Sequence, residues 1–312
     1  MSQMLPSEKT SDEILLITAE EAGLRLDKIL ANRFASIQSR TYFQRLIEEE
    51  RVLVNGEPVK KRIQPKEGDE VEIEFVLTPE LQLIPEAIPL KIIYEDEHLL
   101  AIDKPVGMVV HPAVGNWNGT FVNALLYHCQ MEAPSGDVRP GIVHRLDKDT
   151  TGLLLAAKHP LAQQKLIALF ASRKIEKTYW AICAGNPPAG VIDVPIGRSP
   201  VNRKLMAVLE TGGRRAVSRI KPLRFKDPLS LVEVLLETGR THQIRVHLKY
   251  RNAPVLGDTT YGSEKMNKKF QAERQMLHAK RLRFEHPMTG AMLDLEAPLP
   301  EDMQRVMEEY LS

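Results

Sequence analysis

The spacing of apolar residues along this 312-residue chain changes character twice. Residues 1–15 are polar and acidic and read as a flexible lead-in. Over residues 16–76, Leu24, Leu26, Ile29 and Leu30 recur at helical spacing, with Arg25, Lys28 and Arg33 on the other faces. Ser39 reads as the N-cap of a second helix, in which Tyr42, Leu46 and Ile47 repeat the period. Asn55-Gly56 between two short apolar runs predicts a hairpin, and Val71-EIEF alternates as a strand does. Two helices, a hairpin and a strand predict a small α/β domain.

Residues 77–88 carry Pro79 and Pro85, with Pro89 next, and read as an extended, semi-rigid linker. Over residues 89–312, strand-like runs (Lys91-IIY, Leu99-LAID, Leu231-VEVLLE) are mixed with helical ones (Leu161-AQQKLIALFAS, Glu301-DMQRVMEEYL). That mixture predicts an α+β or mixed domain large enough to bury a substantial core.

Composition narrows the class. Apolar residues at 43% and charged residues at 27% are globular values. Cys129 and Cys183 cannot make a disulfide framework and read as two reduced thiols of a cytoplasmic protein. No apolar run approaches the ~18 residues of a membrane span, and residues 1–13 do not read as a signal peptide. Forty-two Lys+Arg against 41 Asp+Glu leave a net charge of only +1, which taken alone argues against a nucleic-acid partner. The distribution reverses that reading. Residues 23–63 hold nine basic against five acidic residues, a balance of +4, and residues 198–251 hold thirteen against four, a balance of +9. Charge runs are often only solvated faces, but one patch in each domain suits a polyanion crossing both.

Three polar clusters could carry chemistry. In Arg139-PGIVHRLDKDTTGLLLAAK, Asp147 lies between Arg145 and Lys148 and between two apolar runs. An Asp in an arbitrary loop is usually a turn or cap residue. One partly desolvated beside cations can stay ionised and serve as nucleophile or base. In Glu237-TGRTHQIRVHLKYRN, Thr241 can cap a helix that holds Arg245 one turn in. His242 and His247, five apart, do not share a helical face and read as structural histidines rather than a zinc pair. Tyr179, on an alternating strand, reads first as core. With no G-x-G-x-x-G, Walker A loop or cysteine metal site, chemistry would run on side chains alone.

These motifs carry a resemblance. Asp103-KPVGMVVHP, His144-RLDKDTTG, Arg240-THQIRVHL, Gly257-DTTYG and Leu277-HAKRLRFEHPMTG, in this order, resemble the RluA/RluD-type pseudouridine synthases, closest to the branch acting on large-subunit ribosomal RNA. Residues 17–75 resemble the small RNA-binding module named after a small-subunit ribosomal protein. The resemblance implies a mixed, largely antiparallel-sheet catalytic domain and an RNA uridine isomerase needing no cofactor and no metal. It implies that Asp147 is the catalytic aspartate, that Arg245 pairs with it and keeps it ionised, and that Tyr179 stacks on the base and moves a proton. A uridine in folded RNA must be extruded. By the same likeness His144 and Arg145 contact the RNA, Arg145 filling the vacated stack, and Leu282 helps line the base pocket. Arg25, Lys28, Arg40, Arg51, Lys60 and Lys61 are the backbone contacts expected in the small domain, although Arg40 and Lys61 also read as solvated residues.

The expected partner is RNA, with no membrane, and the default oligomeric state is a monomer. The same chemistry on transfer RNA is one alternative. A non-catalytic RNA-binding factor in ribosome assembly is another, but such a binder has no use for Asp147, Arg245 and Tyr179. A retaining glycoside hydrolase ranks last, because it needs a second carboxylate about 5 Å from the first.

Overall fold

A computed structural model describes residues 9–34, 40–60, 62–77, 83–112, 118–131, 139–202 and 205–312. The chain divides into two units, residues 1–82 and 83–312. In the first, strand β1 (Lys9–Leu16) precedes helices α1 (Leu26–Arg33) and α2 (Arg40–Glu48). Strands β2 (Val52–Val54), β3 (Glu57–Pro58) and β4 (Glu70–Leu77) follow. The four strands form an antiparallel sheet in the order β1-β4-β2-β3. Asn55 (φ 53°) and Gly56 (φ 79°) turn the β2–β3 hairpin in the left-handed conformation that an Asn-Gly pair favours. Leu26, Ile29 and Leu30 of α1 and Phe43, Leu46 and Ile47 of α2 are buried with Val52, Val71 and Ile73 of the sheet. Few aromatics exist, yet Phe34, Tyr42, Phe43 and Phe75 gather in this core with centroids 5.1 to 6.4 Å apart.

The flexible lead-in is corrected from Lys9 onward, because β1 pairs with β4 from Lys9↔Leu77 to Leu16↔Glu70. Backbone hydrogen bonds rather than an apolar stripe hold this strand: Ile14 and Leu16 are 66% and 60% exposed. An alternation test cannot detect such a strand. Ser39, the expected cap of α2, lies outside the described residues.

The second unit begins with β5 (Ile92–Glu95), β6 (Leu99–Lys104), helix α3 (Phe121–His128), β7 (Thr151–Ala157), α4 (Pro160–Ala171) and β8 (Glu176–Ala184). Next come β9 (Gly190–Asp193), β10 (Ile196–Arg198), β11 (Met206–Val208), β12 (Val217–Lys226) and β13 (Leu229–Leu236). Then follow α5 (Gln243–Tyr250), α6 (Glu264–Lys269), β14 (Leu277–Glu285), β15 (Met292–Glu296) and α7 (Glu301–Tyr310). Nine of these strands make one sheet in the order β5-β6-β7-β14-β8-β13-β12-β9, with β15 added on β14. Among the described residues every pairing in it is antiparallel except β7 with β14. The class is α+β, built on a largely antiparallel sheet.

Strand β7 reads as an unbroken apolar run because both its faces are covered. Leu154 and Ala156 pack with Phe121 and Leu125 of α3, while Leu153 and Leu155 pack with Ala162 and Leu166 of α4. Each such leucine contributes ~1.5–3 kcal/mol through burial. The parallel β7–β14 contact depends on Gly152 (φ 103°), where a Cβ would lie 2.3 Å from the Ala279 carbonyl oxygen. Residues 83–88, read as linker, rest on α3. Leu83 is buried with Val122 and Leu126, and the Asn123 amide donates to the Ile84 carbonyl at 2.9 Å.

Candidate active site

The loop carrying Asp147 is held from below by two buried cations. Lys104, at the end of β6, is fully buried and donates to the carbonyls of Pro105, Met108 and Lys148 at 2.9, 3.0 and 2.8 Å. Three acceptors match the three donors of an ammonium. Burial pulls this amine down to about 7, opposed by Asp149 and Asp147 and reinforced by Arg274. Arg274 donates to the Asp149 carbonyl at 3.1 Å and is itself anchored on Asp302 at 2.6 and 2.8 Å. Gly107 N–H also reaches the Lys148 carbonyl, and Thr150 N–H closes a turn on the Asp147 carbonyl.

From this loop Asp147 faces α5. Arg245 Nη1 donates to Asp147 Oδ2 at 3.0 Å. The other edge of the guanidinium is taken by Asp258, with Nε to Oδ2 at 2.7 Å and Nη2 to Oδ1 at 2.9 Å. Asp258 is buried, and Thr260 and Tyr261 N–H groups also donate to it. Burial alone would raise its pKa, but the bonds from Arg245 hold it below the usual carboxylate range. Burial likewise opposes the charge on Arg245, and Asp258 and Asp147 outweigh it. Arg245 therefore stays a guanidinium of fixed orientation.

Helix α5 starts differently from expectation. Its N-cap is His242, in the left-handed region (φ 56°) and without a side-chain cap bond, not Thr241. Gln243 orders the approach instead, accepting from Arg240 N–H and Thr238 Oγ1 and donating to the Val217 carbonyl. The left-handed turn aims His242 at the site, with Nε2 4.0 Å from Asp147 Oδ1. Its Nδ1 meets the Tyr261 hydroxyl at 2.8 Å, and Met206 N–H donates to that same hydroxyl. The Tyr261 hydroxyl thus ties the His242 ring to the backbone at Met206 and holds its Nε2 edge toward Asp147. Burial lowers the His242 pKa against the pull of Asp147. His247 is structural as expected: buried, bonded to Ser218 Oγ at 2.9 Å, and pushed down to about 4 by burial.

Asp147, Arg245, His242 and Tyr179 line one cavity of about 510 Å³, within the usual range for ligand sites. Tyr179 comes from β8 and is buried, and burial followed by Asp147 raises its pKa, so the phenol stays protonated. His144 also lines the cavity. Its Nε2 accepts from Leu155 N–H at 2.9 Å, its ring stacks on Phe170 at 4.7 Å, and burial, then Lys177, pushes it down to about 3. Arg145 is exposed at the cavity wall and makes no side-chain hydrogen bond or ion pair among the described residues.

The expectation for Leu282 is corrected. It does not line this cavity, and Leu277 does. Strand β14 is irregular between Ala279 and Arg281: before that point Leu277 and Ala279 pack in the cluster with Tyr179. Beyond it, Leu282 and Phe284 pack with Leu99, Leu153 and Leu155.

In the small domain, buried Asp27 ties up two expected RNA contacts. Arg25 donates to it at 3.0 and 3.0 Å, and Arg40 Nε at 2.9 Å. Burial would raise the Asp27 pKa, yet the bonds from Gln44, Arg25 and Arg40 hold it low. Arg51 pairs with Glu74 at 2.9 Å. Lys28 and Lys60 are exposed, and Lys61 lies outside the described residues. The basic stretch 198–251 is similarly engaged in part, with Arg215 on Asp193 and Arg219 on Glu237 at 2.8 and 2.7 Å.

Reading the sequence alone missed Lys104, Asp258, Tyr261 and the site role of His242. The first three sit inside quoted motifs, Asp103-KPVG and Gly257-DTTYG, which was the available signal. Among the described residues one group, Glu95, His128 and Cys129, brings three ligand-type atoms within 4.8 Å, but Lys158 already pairs with Glu95 at 2.8 Å and none of the three lines the cavity. No helix among the described residues is long and apolar enough to cross a membrane.

Residues 98–250 match the family described as RNA pseudouridylate synthase, and residues 24–71 match the S4 domain. The chain is 45% identical to an uncharacterized RNA pseudouridine synthase of Chlorobaculum parvum, over 94% of this chain and 96% of that protein. It is 42% identical to the ribosomal large subunit pseudouridine synthase D of Zymomonas mobilis, over 94% and 95%. Among solved structures, human RNA pseudouridylate synthase domain containing 4 matches at a TM-score of 0.56 and 28% identity, covering 70% of this chain and 92% of that one. Identity of this depth along nearly the whole chain makes the protein a member of the RNA pseudouridine synthase family, an isomerase with an RNA-binding S4 domain ahead of its catalytic domain.

Proposed function

We propose that this enzyme isomerises uridines of large-subunit ribosomal RNA, with Asp147 acting on a uridine turned out of its stack. The ribosomal assignment is supported by relatives named as large-subunit synthases, that of Zymomonas mobilis and one of Neisseria meningitidis at 40% identity over 98% of this chain. The observation that carries the chemistry is the setting of Asp147, a carboxylate in a 510 Å³ cavity with Arg245 fixed on one oxygen.

Pseudouridine formation breaks the C1′–N1 bond, turns the uracil, and joins C1′ to C5. C5 loses its proton and N1 gains one, so redox state is unchanged. A carboxylate can assist departure of the base at the sugar. Only Asp147 and Glu237 supply carboxylates to the cavity lining among the described residues, and Arg219 engages Glu237. Tyr179, kept neutral, offers a ring against the uracil and a hydroxyl that donates. Exposed Arg145 is placed to enter the vacated stack. Extrusion costs a few kcal/mol, which phosphate contacts elsewhere on the protein offset.

The test is Asp147→Asn. It should abolish pseudouridine formation while thermal unfolding and RNA affinity stay near wild type, and full activity in the variant refutes the catalytic assignment. Site-resolved mapping in cells lacking the gene tests the substrate. Loss confined to transfer RNA would overturn the ribosomal assignment and leave the role of Asp147 standing.

A further inference from the structure

A second cavity, of about 860 Å³, adjoins the catalytic one and shares Arg173, Lys177, Leu236 and Glu237 with it. It runs between the C-terminal half of α4, the start of β8 and the far end of β14. Five cations line it: Lys165, Arg173, Lys174, Lys177 and Arg283. Against them stand three carboxylates, Glu176, Glu237 and Glu285, of which Glu237 is already paired with Arg219.

Lys177 is the unusual member. Its residue is only 8% exposed, yet its ammonium makes no hydrogen bond or ion pair with any described residue. The contact it does make is with the Phe170 ring, 6.0 Å away. The Lys177 stem is buried while its Nζ still reaches solvent in the cavities, and burial, then Arg173, lowers its pKa from the ordinary lysine value. Arg173, Lys174 and Arg283 likewise make no side-chain bond or ion pair among the described residues. By contrast, Arg245 in the first cavity and Arg25 and Arg40 in the small domain are bound to carboxylates of the protein itself. The second cavity thus presents unneutralised positive charge, continuous with the site where the RNA reacts.

We infer that this cavity is a track for the substrate RNA backbone as it leaves the target uridine, with the Lys177 ammonium receiving a phosphate next to that nucleotide. Lys177 and Tyr179 are two apart on β8 and project from the same face, about 7 Å from one another along the strand. A base resting on Tyr179 therefore brings its own linkage to Lys177. The RNA strand then continues past Arg173 and Lys174 toward Arg283. Phosphate contacts of this kind fix position rather than read sequence. The inference rests on the RNA-modifying reading of the first cavity, not on which RNA is modified.

The experiment measures binding of in-vitro-transcribed large-subunit ribosomal RNA fragments by the full-length protein across a salt series. A Lys174→Ala/Arg283→Ala variant should bind roughly tenfold more weakly at moderate salt. Its salt dependence should be shallower by about 0.7 in slope for each phosphate that the variant no longer neutralises. Lys177→Met should raise KM, and Lys177→Arg should recover most of the loss. A neutral methylphosphonate, placed in turn at each linkage flanking the target uridine, should weaken wild type at one position and leave Lys177→Met no weaker than it already is. An unchanged slope in the double variant, or equal losses in wild type and Lys177→Met from every neutral linkage, overturns the inference. If Lys177→Met does not fold, the slope of the double variant decides. A wild-type protein that binds these fragments but modifies none of them refutes the ribosomal substrate and leaves the track untouched.

Discussion

Asp258 grips Arg245 on two of its three nitrogens, at 2.7 and 2.9 Å, and leaves only Nη1 to meet the cavity. That nitrogen is the one bonded to Asp147. The Asp147 carboxylate is therefore oriented through a second, buried carboxylate that never touches it.

Asp258→Asn should retain the fold while loosening this orientation. The expected outcome is a fall in kcat of about 10²-fold, the scale of a misplaced reacting group, with KM for RNA little changed. Asp258→Ala strands the buried guanidinium and should destabilise the protein by ~3–5 kcal/mol. Steady-state kinetics and denaturant titration of the two variants separate these effects.

Gly257 precedes Asp258 with φ at 78°, and a Cβ there would lie 1.8 Å from the Arg274 carbonyl oxygen. Arg274 also supports the Asp147 loop. Gly257→Ala should cost ~2–5 kcal/mol, combining left-handed strain with overpacking. A thermal midpoint equal to wild type would contradict the geometry.

In the small domain the charges divide into structural and free. Arg40→Ala removes a bond to buried Asp27 and should lower stability by about 2 kcal/mol. Lys28→Ala/Lys60→Ala should leave the melting point in place and flatten the salt dependence of RNA binding by about one phosphate for each lysine. Calorimetry and salt-titrated binding on both variants read the division directly.

Two fully buried histidines, His247 and His278, are each pushed down to about 4, chiefly by burial. Between that value and the ordinary 6.5 the unfolded chain binds protons that the folded chain refuses. Stability should therefore be undiminished by these groups above pH 6.5 and fall as pH drops from 6.5 toward 4. Each contributes about 1.4 kcal/mol per pH unit to the slope. His247→Asn should make urea midpoints measured across that window less steep than in wild type.

The sequence by itself determined the local elements and the residue types available for chemistry. Helical spacing in Gly23-LRLDKILANRF, the Asn55-Gly56 turn and the alternation of Val71-EIEF are properties of neighbouring residues, and the structure repeats them. Asp147, Arg245 and Tyr179 stood out through motifs, and the fold brings all three to one cavity. What only the tertiary structure decided involves partners distant in sequence. Strand β1 exists because β4, more than fifty residues on, offers it an edge. Leu282 leaves the cavity because of an irregularity in the pairing of β14 with β8, invisible to a hydropathy pattern. Lys104, Asp258 and the His242–Tyr261 pair act through bonds spanning 13 to 55 residues. A buried charge is stable only where its partners converge, and that convergence is a property of the packed chain.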